Sequence, residues 1–243
     1  MSTTFGDPYD VIPVIEAEES ARITFMRQIG IYTLGSLLIT AVSAVAMMFV
    51  VVSLPGIFLN QIASLVIMLG GIYGAQFVGN SMTLSPDAST RFTGYVAASA
   101  MSGAALSYLL LTAVQVGAQS GNPLLIIGQA GGLTALTVVG MVAYLLTGPR
   151  KLSYLGAGLS MLTLPMLGLM AISWVFPVGG AMGLIISAVF VAISAGGLLY
   201  SLNQVLHECS TNMVLAGATR VSIGIVVLFW NILTLLLRFT GRD

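Results

Sequence analysis

LLYSLNQVLHECSTNMVLAGATRVSIGIVVLFWNILTLLLRF, residues 198–239, decides how the rest of the chain is read. Two apolar runs flank a short polar hinge, HECSTN at 207–212, and each run carries polar side chains at membrane depth. Asn203 and Gln204 close the first run, while Arg220 and Asn231 lie inside the second. A polar group in hydrocarbon is costly and turns toward a bundle interior, a cavity or a partner. The stretch therefore predicts two packed membrane helices, with the working centre of the protein between them.

The remainder of the chain agrees with that reading. Its 243 residues are 57% hydrophobic and 7% charged, with a mean hydropathy of +1.02, far outside the range of soluble domains. Several runs exceed the roughly 18 apolar residues that mark a spanning helix. The expectation is an all-α polytopic bundle of seven transmembrane helices near 28–53, 59–79, 92–114, 123–147, 152–175, 179–203 and 214–238. Residues 28–243 form one membrane domain, because short connections force antiparallel neighbours and leave no room for a second core. Residues 1–27 form an acidic tail, read as solvated, with docking of a cytoplasmic partner as the alternative.

Orientation follows the basic residues. Arg22, Arg27, Arg91, Arg150 and Lys151 all fall on one side of the predicted spans, which places the N-terminus in the cytoplasm. Seven spans put Arg238 and Arg242 on the opposite side, so a re-entrant last helix is the alternative. No cleavable signal peptide is read at the N-terminus, where five acids precede the first base, Arg22.

Glycines at GxxxG spacing, Gly70/Gly74, Gly128/Gly132 and Gly179/Gly183, predict close helix packing within the bundle, with a dimer face as the alternative. Pro165 is expected to bend the fifth span.

The composition also excludes function classes. Zero net charge gives no footprint for nucleic acid. One cysteine, Cys209, and one histidine, His207, supply neither a disulfide nor a Cys- or His-based metal cluster. The spans hold no Asp or Glu, no HExxH and no GxSxG. No catalytic residue, metal or cofactor is expected. Arg220 either reaches for the cytoplasmic headgroups or pairs with Glu208 across the hinge. The gate or latch candidates are Ser201, Asn203, Gln204, Glu208, Arg220, Gly224 and Asn231.

Four stretches carry a resemblance: ITFMRQIGIYTLGSLLITA at 23–41, IIGQAGGLTALTVVGMVAYLLTGPRKLSYLGAGL at 126–159, LLYSLNQVLH at 198–207 and LFWNILTLLLRF at 228–239. Together they resemble the transmembrane Bax inhibitor motif family, also called the Bax inhibitor one family. The resemblance implies seven helices with the last one central. It also implies one of three activities: calcium leak, suppression of cell death in eukaryotes, or modulation of a membrane protease in bacteria. The family's proposed calcium and proton site is a pair of aspartates. Their positions fall here on Ser201 and Gly224, and the family's asparagine falls on Val227. Neutral oxygens alone suit calcium poorly.

Two functions from different classes follow. One is a regulatory or interaction factor acting on another membrane protein or a membrane protease. The other is a passive calcium or proton leak with a non-acidic gate centred on Arg220. The family style places the protein in a bacterial inner membrane, with the lipid bilayer as its surroundings.

Overall fold

The computed structural model describes residues 14, 18–54, 61–119, 121–146, 180–209 and 213–240. Among them the chain is all-helical: α1 Glu19–Ser53, α2 Gln61–Met82, α3 Ala88–Gln119, α4 Leu125–Leu146, α5 Gly180–Glu208 and α6 Val214–Thr240. α1, α3, α4, α5 and α6 are each long and apolar enough to cross a membrane. The expected span at 152–175, with Pro165, lies outside the described residues, as do Arg150, Lys151 and Gly179.

Helix ends follow local chemistry. The Asp87 carboxylate accepts the backbone N–H of Thr90 at 2.8 Å and its hydroxyl at 2.7 Å, capping the start of α3. Those bonds hold the Asp87 carboxyl below its ordinary value. At the other end of α3, Gly121 adopts a φ of 79°. Its N–H reaches the Ala118 carbonyl at 3.1 Å, and the Asn122 N–H reaches that of Gly117 at 3.0 Å. Only glycine takes this left-handed turn at little cost, and it ends the helix.

α6 touches each of the other five described helices and is the hub of the bundle. Its buried face is small near the start, with Gly217, Ala218, Thr219 and Ser222, and bulkier toward the end, with Leu228, Ile232 and Leu233. Leu34, Leu38, Val42 and Phe49 of α1 point outward and are more than half exposed. A column of large apolar side chains facing outward fits lipid and not water. The protein is an integral membrane protein.

Contacts at the helix ends fix which ends lie together. A Cβ on Gly217 would stand 3.0 Å from Ile29, and one on Gly79 would stand 3.0 Å from Thr219. The starts of α1 and α6 therefore share one end of the bundle with the finish of α2. At the other end, Leu125, Ile126 and Gln129 of α4 line an open groove with Leu236, Phe239 and Thr240 of α6. There Arg238 donates to the Gly183 carbonyl at 3.1 Å, bringing in the start of α5. Leu146 ends the 22-residue α4, about 32 Å from Leu125, and lies on the opposite side from Gly180.

Three expectations change. α1 begins at Glu19, well before residue 28, because its first turns are exposed and polar and extend past the apolar run. Val14, placed in a solvated tail from sequence, is fully buried. Close packing by glycine occurs, but not at the expected spacings alone. Space around Gly70, Gly128 and Gly132 is open. Of the expected positions Gly74 is tight, with Met101 Cε where its Cβ would stand; elsewhere a Cβ on Gly71 would fall 2.7 Å from that of Ala105, and one on Gly103 would meet the Thr40 carbonyl and the Ser43 hydroxyl.

Candidate functional site

The antiparallel seam between α5 and α6 holds most of the residues singled out from sequence. Val205 packs on Gly217, Gln204 meets Arg220, and Leu198 packs on Gly224. The Arg220 guanidinium donates through Nη1 to Gln204 Oε1 at 2.8 Å. A half-buried cation is thus met by a neutral amide of the neighbouring helix. Such an interaction satisfies a donor without putting a second charge in the membrane. The Glu208 side chain lies outside the described residues, so its expected pairing with Arg220 does too.

Asn203 is buried, and its backbone carbonyl lies 2.9 Å from His207 Nδ1, one turn on. Asn231 turns back on its own helix, donating to the Val227 carbonyl at 2.9 Å, and so joins no seam contact through that bond. Ser201 is half-buried, one turn after Leu198. At Gly224 an added Cβ would stand 2.9 Å from Leu198 Cδ1. The space that a carboxylate would need there is filled by a fully buried leucine. Among the described residues no group of three or more His, Cys, Asp or Glu could hold a metal ion.

A second polar cluster, not anticipated from sequence, joins three helices. Ser36 of α1 lies 2.7 Å from the Ser99 hydroxyl of α3 and 2.8 Å from the Ser222 hydroxyl of α6. Ser99 also reaches the Tyr95 carbonyl at 2.7 Å, and Ser222 reaches that of Thr219 at 2.9 Å. All three serines are buried. Each hydroxyl has one proton to donate, so three protons serve four contacts and the hydrogens cannot occupy all four at once. Around this clasp, Thr40 donates to the Ser99 carbonyl at 3.0 Å and Tyr95 to the Tyr32 carbonyl at 2.7 Å. The Thr33 hydroxyl, on the same face of α1, is buried with no hydrogen-bond partner. The clasp is all neutral hydroxyls and carbonyls, suited to holding helices together.

The family described as inhibitor of apoptosis-promoting Bax1 matches residues 22–241, nearly the entire chain. The chain belongs to the Bax inhibitor family. The chain is 29% identical over 208 residues to the modulator of FtsH protease YccA of Escherichia coli strain K12, covering 85% of this chain and 84% of that protein. The same figures hold for the inner membrane protein YccA of Escherichia coli O6:H1. A further relative, an uncharacterised protein of Pseudomonas aeruginosa, is 30% identical over 116 residues, covering 48% of this chain and 50% of that protein.

Within this Bax inhibitor family protein, the candidate residues sort by position. Gln204, Arg220 and Gly224 meet across the seam, and Asn203 and Ser201 flank it on α5, while Asn231 bonds within α6. The clasp was missed because serine and threonine are common in membrane helices and read as filler. One signal was available. Thr33, Ser36 and Thr40 recur at three- and four-residue spacing, which puts three hydroxyls on one face of α1.

Proposed function

We propose that this protein is a regulatory factor of the bacterial inner membrane that acts on other membrane proteins, an FtsH-type membrane protease foremost. The observation that carries the reading is the likeness, over 84% of its length, to a relative named as a modulator of that protease. The α5–α6 seam supports it from a different direction. A leak through the family's acidic pair needs carboxylates at positions that hold Ser201 and Gly224 here, and Leu198 closes the second of them. The protein carries out no catalysis of its own and works by contact.

We propose seven spans for this role. Leu146 and Gly180 lie on opposite sides of the bundle, which supports a further span between them. The apolar run at 152–175 is long enough to form it in one helix. With Arg22, Arg27 and Arg91 on the cytoplasmic side, the N-terminus and the α5–α6 hinge face the cytoplasm. The polar seam residues Gln204 and Arg220 then lie near the cytoplasmic face, with the Arg220–Gln204 bond holding the two helices in register.

The test is reconstitution. Purified protein, added to an FtsH-type protease in the same proteoliposomes, is expected to change turnover of a membrane substrate and to co-purify with the protease. In parallel, vesicles holding this protein alone are expected to pass calcium and protons no faster than empty ones. Unaltered proteolysis together with ion flux above background would reverse the assignment in favour of the leak.

A further inference from the structure

Arg220 has a wider setting than its bond to Gln204. Around α6, Thr219 and Ile223 lie against Gly79 of α2, while Gly217 and Gly224 lie against Val205 and Leu198 of α5. Arg220 stands between those two rows on the helix surface. α2 and α5 both pack on α6, yet among the described residues they do not touch each other. They leave a gap floored by α6, where Arg220, Ile223 and Val227 are half-buried. On the α5 side, Gly197 and Ser201 share a face with Gln204, and a Cβ on Gly197 would meet nothing within 4 Å. Depth follows from the neighbours of α6: Gly217 is level with Ile29, and Ser222 with Ser36. Arg220 is thus level with Tyr32, whose carbonyl takes the Tyr95 hydroxyl, and tyrosines settle at the headgroup boundary.

We propose that this gap binds one anionic phospholipid of the cytoplasmic leaflet, with its phosphate on Arg220 and an acyl chain along Ile223, Val227 and Gly197. Among the described residues Gln204 Oε1 is the guanidinium's one hydrogen-bond partner, so most of its N–H donors stay available. The bond to Gln204 limits how the planar fork turns, and a fork of fixed orientation matches phosphate oxygens two at a time. No described carboxylate balances the cation, so a headgroup of net negative charge fits better than a zwitterionic one. Ile223 and Val227 carry the floor toward the membrane centre as apolar surface, and Gly197 adds no side chain to block it. Headgroup and chain each meet surface of their own kind. A phosphate free in the cytoplasm offers the same oxygens but has no chain for the inner part of the gap. The inference rests on the setting of Arg220 and not on the regulatory role.

Native mass spectrometry of the full-length protein in detergent measures the binding. Wild type is expected to take one phosphatidylglycerol about tenfold more tightly than phosphatidylcholine, a margin set by charge-assisted hydrogen bonds. Inorganic phosphate in large excess should not displace that lipid; displacement would assign the site to a free anion and overturn the lipid. Arg220→Gln should bring the two lipids to parity. Gly197→Leu fills the chain track, leaves the cation alone and should weaken both lipids severalfold, which keeps the test decisive where the arginine variant does not fold. Arg91→Gln removes a charge from the same leaflet and should change nothing, which separates a defined site from the general pull of basic residues on anionic lipid. Glu208→Gln should also leave the preference in place. A preference that appears only in Glu208→Gln would show the arginine already neutralised. That result, equal binding of the two lipids by wild type, or an undiminished preference in Arg220→Gln overturns the proposal.

Discussion

Loss of Ser36 removes two cross-helix hydrogen bonds at once. Ser99 and Ser222 each keep a carbonyl acceptor on their own helix when Ser36 is replaced, so neither is orphaned. Ser36→Ala should therefore cost about 1–2 kcal/mol, the range for hydrogen bonds between membrane helices. Ser99→Ala and Ser222→Ala each break one cross-helix contact and should cost less. Thermal unfolding in detergent ranks the three, and a Ser36→Ala protein that melts above both of the others would refute the clasp. Arg220 is tested by a double-mutant cycle with Gln204. If the 2.8 Å bond stabilises the seam, Arg220→Gln and Gln204→Leu should couple by about 1 kcal/mol. Strictly additive effects would instead leave Arg220 as an anchor in the headgroups. Both residues show what sequence can reveal. Arg220 stood out because a charge inside an apolar run is rare, but its partner did not, since choosing Gln204 over Glu208 depends on how two helices rotate about each other. Ser36 was invisible for the reverse reason: a serine in a membrane helix is ordinary until two others meet it.

Between elements, the α5–α6 seam decides whether an acidic site could be rebuilt. Gly224→Asp pushes a side chain against Leu198 Cδ1 across a gap that admits no Cβ without movement. We expect a loss of about 1–3 kcal/mol from overpacking, with further cost from an unpaired carboxylate. Leu198→Ala in the same chain should relieve the steric part, so that the double variant melts above the sum of the two single losses. Equal losses in the presence and absence of Leu198 would mean that crowding is not what excludes the acid. The existence of the helices was readable from hydropathy alone, because lipid demands runs of uncharged residues. Their ends were less so: α1 starts at Glu19, where polar turns continue the helix into water, and nothing in hydropathy marks that extension. Val14 gave no signal at all, since its burial depends on a hinge nearly two hundred residues away in sequence.

Across the whole molecule, the arrangement of helix ends makes a two-sided prediction. Ser89, beside the start of α3, and Thr240, at the finish of α6, are both exposed and sit at opposite ends of the bundle. In a Cys209→Ser background, Thr240→Cys should react with a membrane-impermeant thiol reagent in intact cells. Ser89→Cys should react only after the membrane is opened. Labelling of both from outside, or of neither, would break the proposed orientation. The clasp also sets a timetable for biosynthesis. Ser36 and Ser99 are 63 residues apart, whereas Ser36 and Ser222 are 186 apart. The first pair can close while the ribosome is still translating, but the third hydroxyl arrives only with the final helix. Until then the groove that receives α6 stays open to lipid, lined by hydroxyls from two helices. A chain that stalls before residue 214 is left with that polar groove uncovered, a mark by which quality-control proteases could tell an unfinished copy from a complete one.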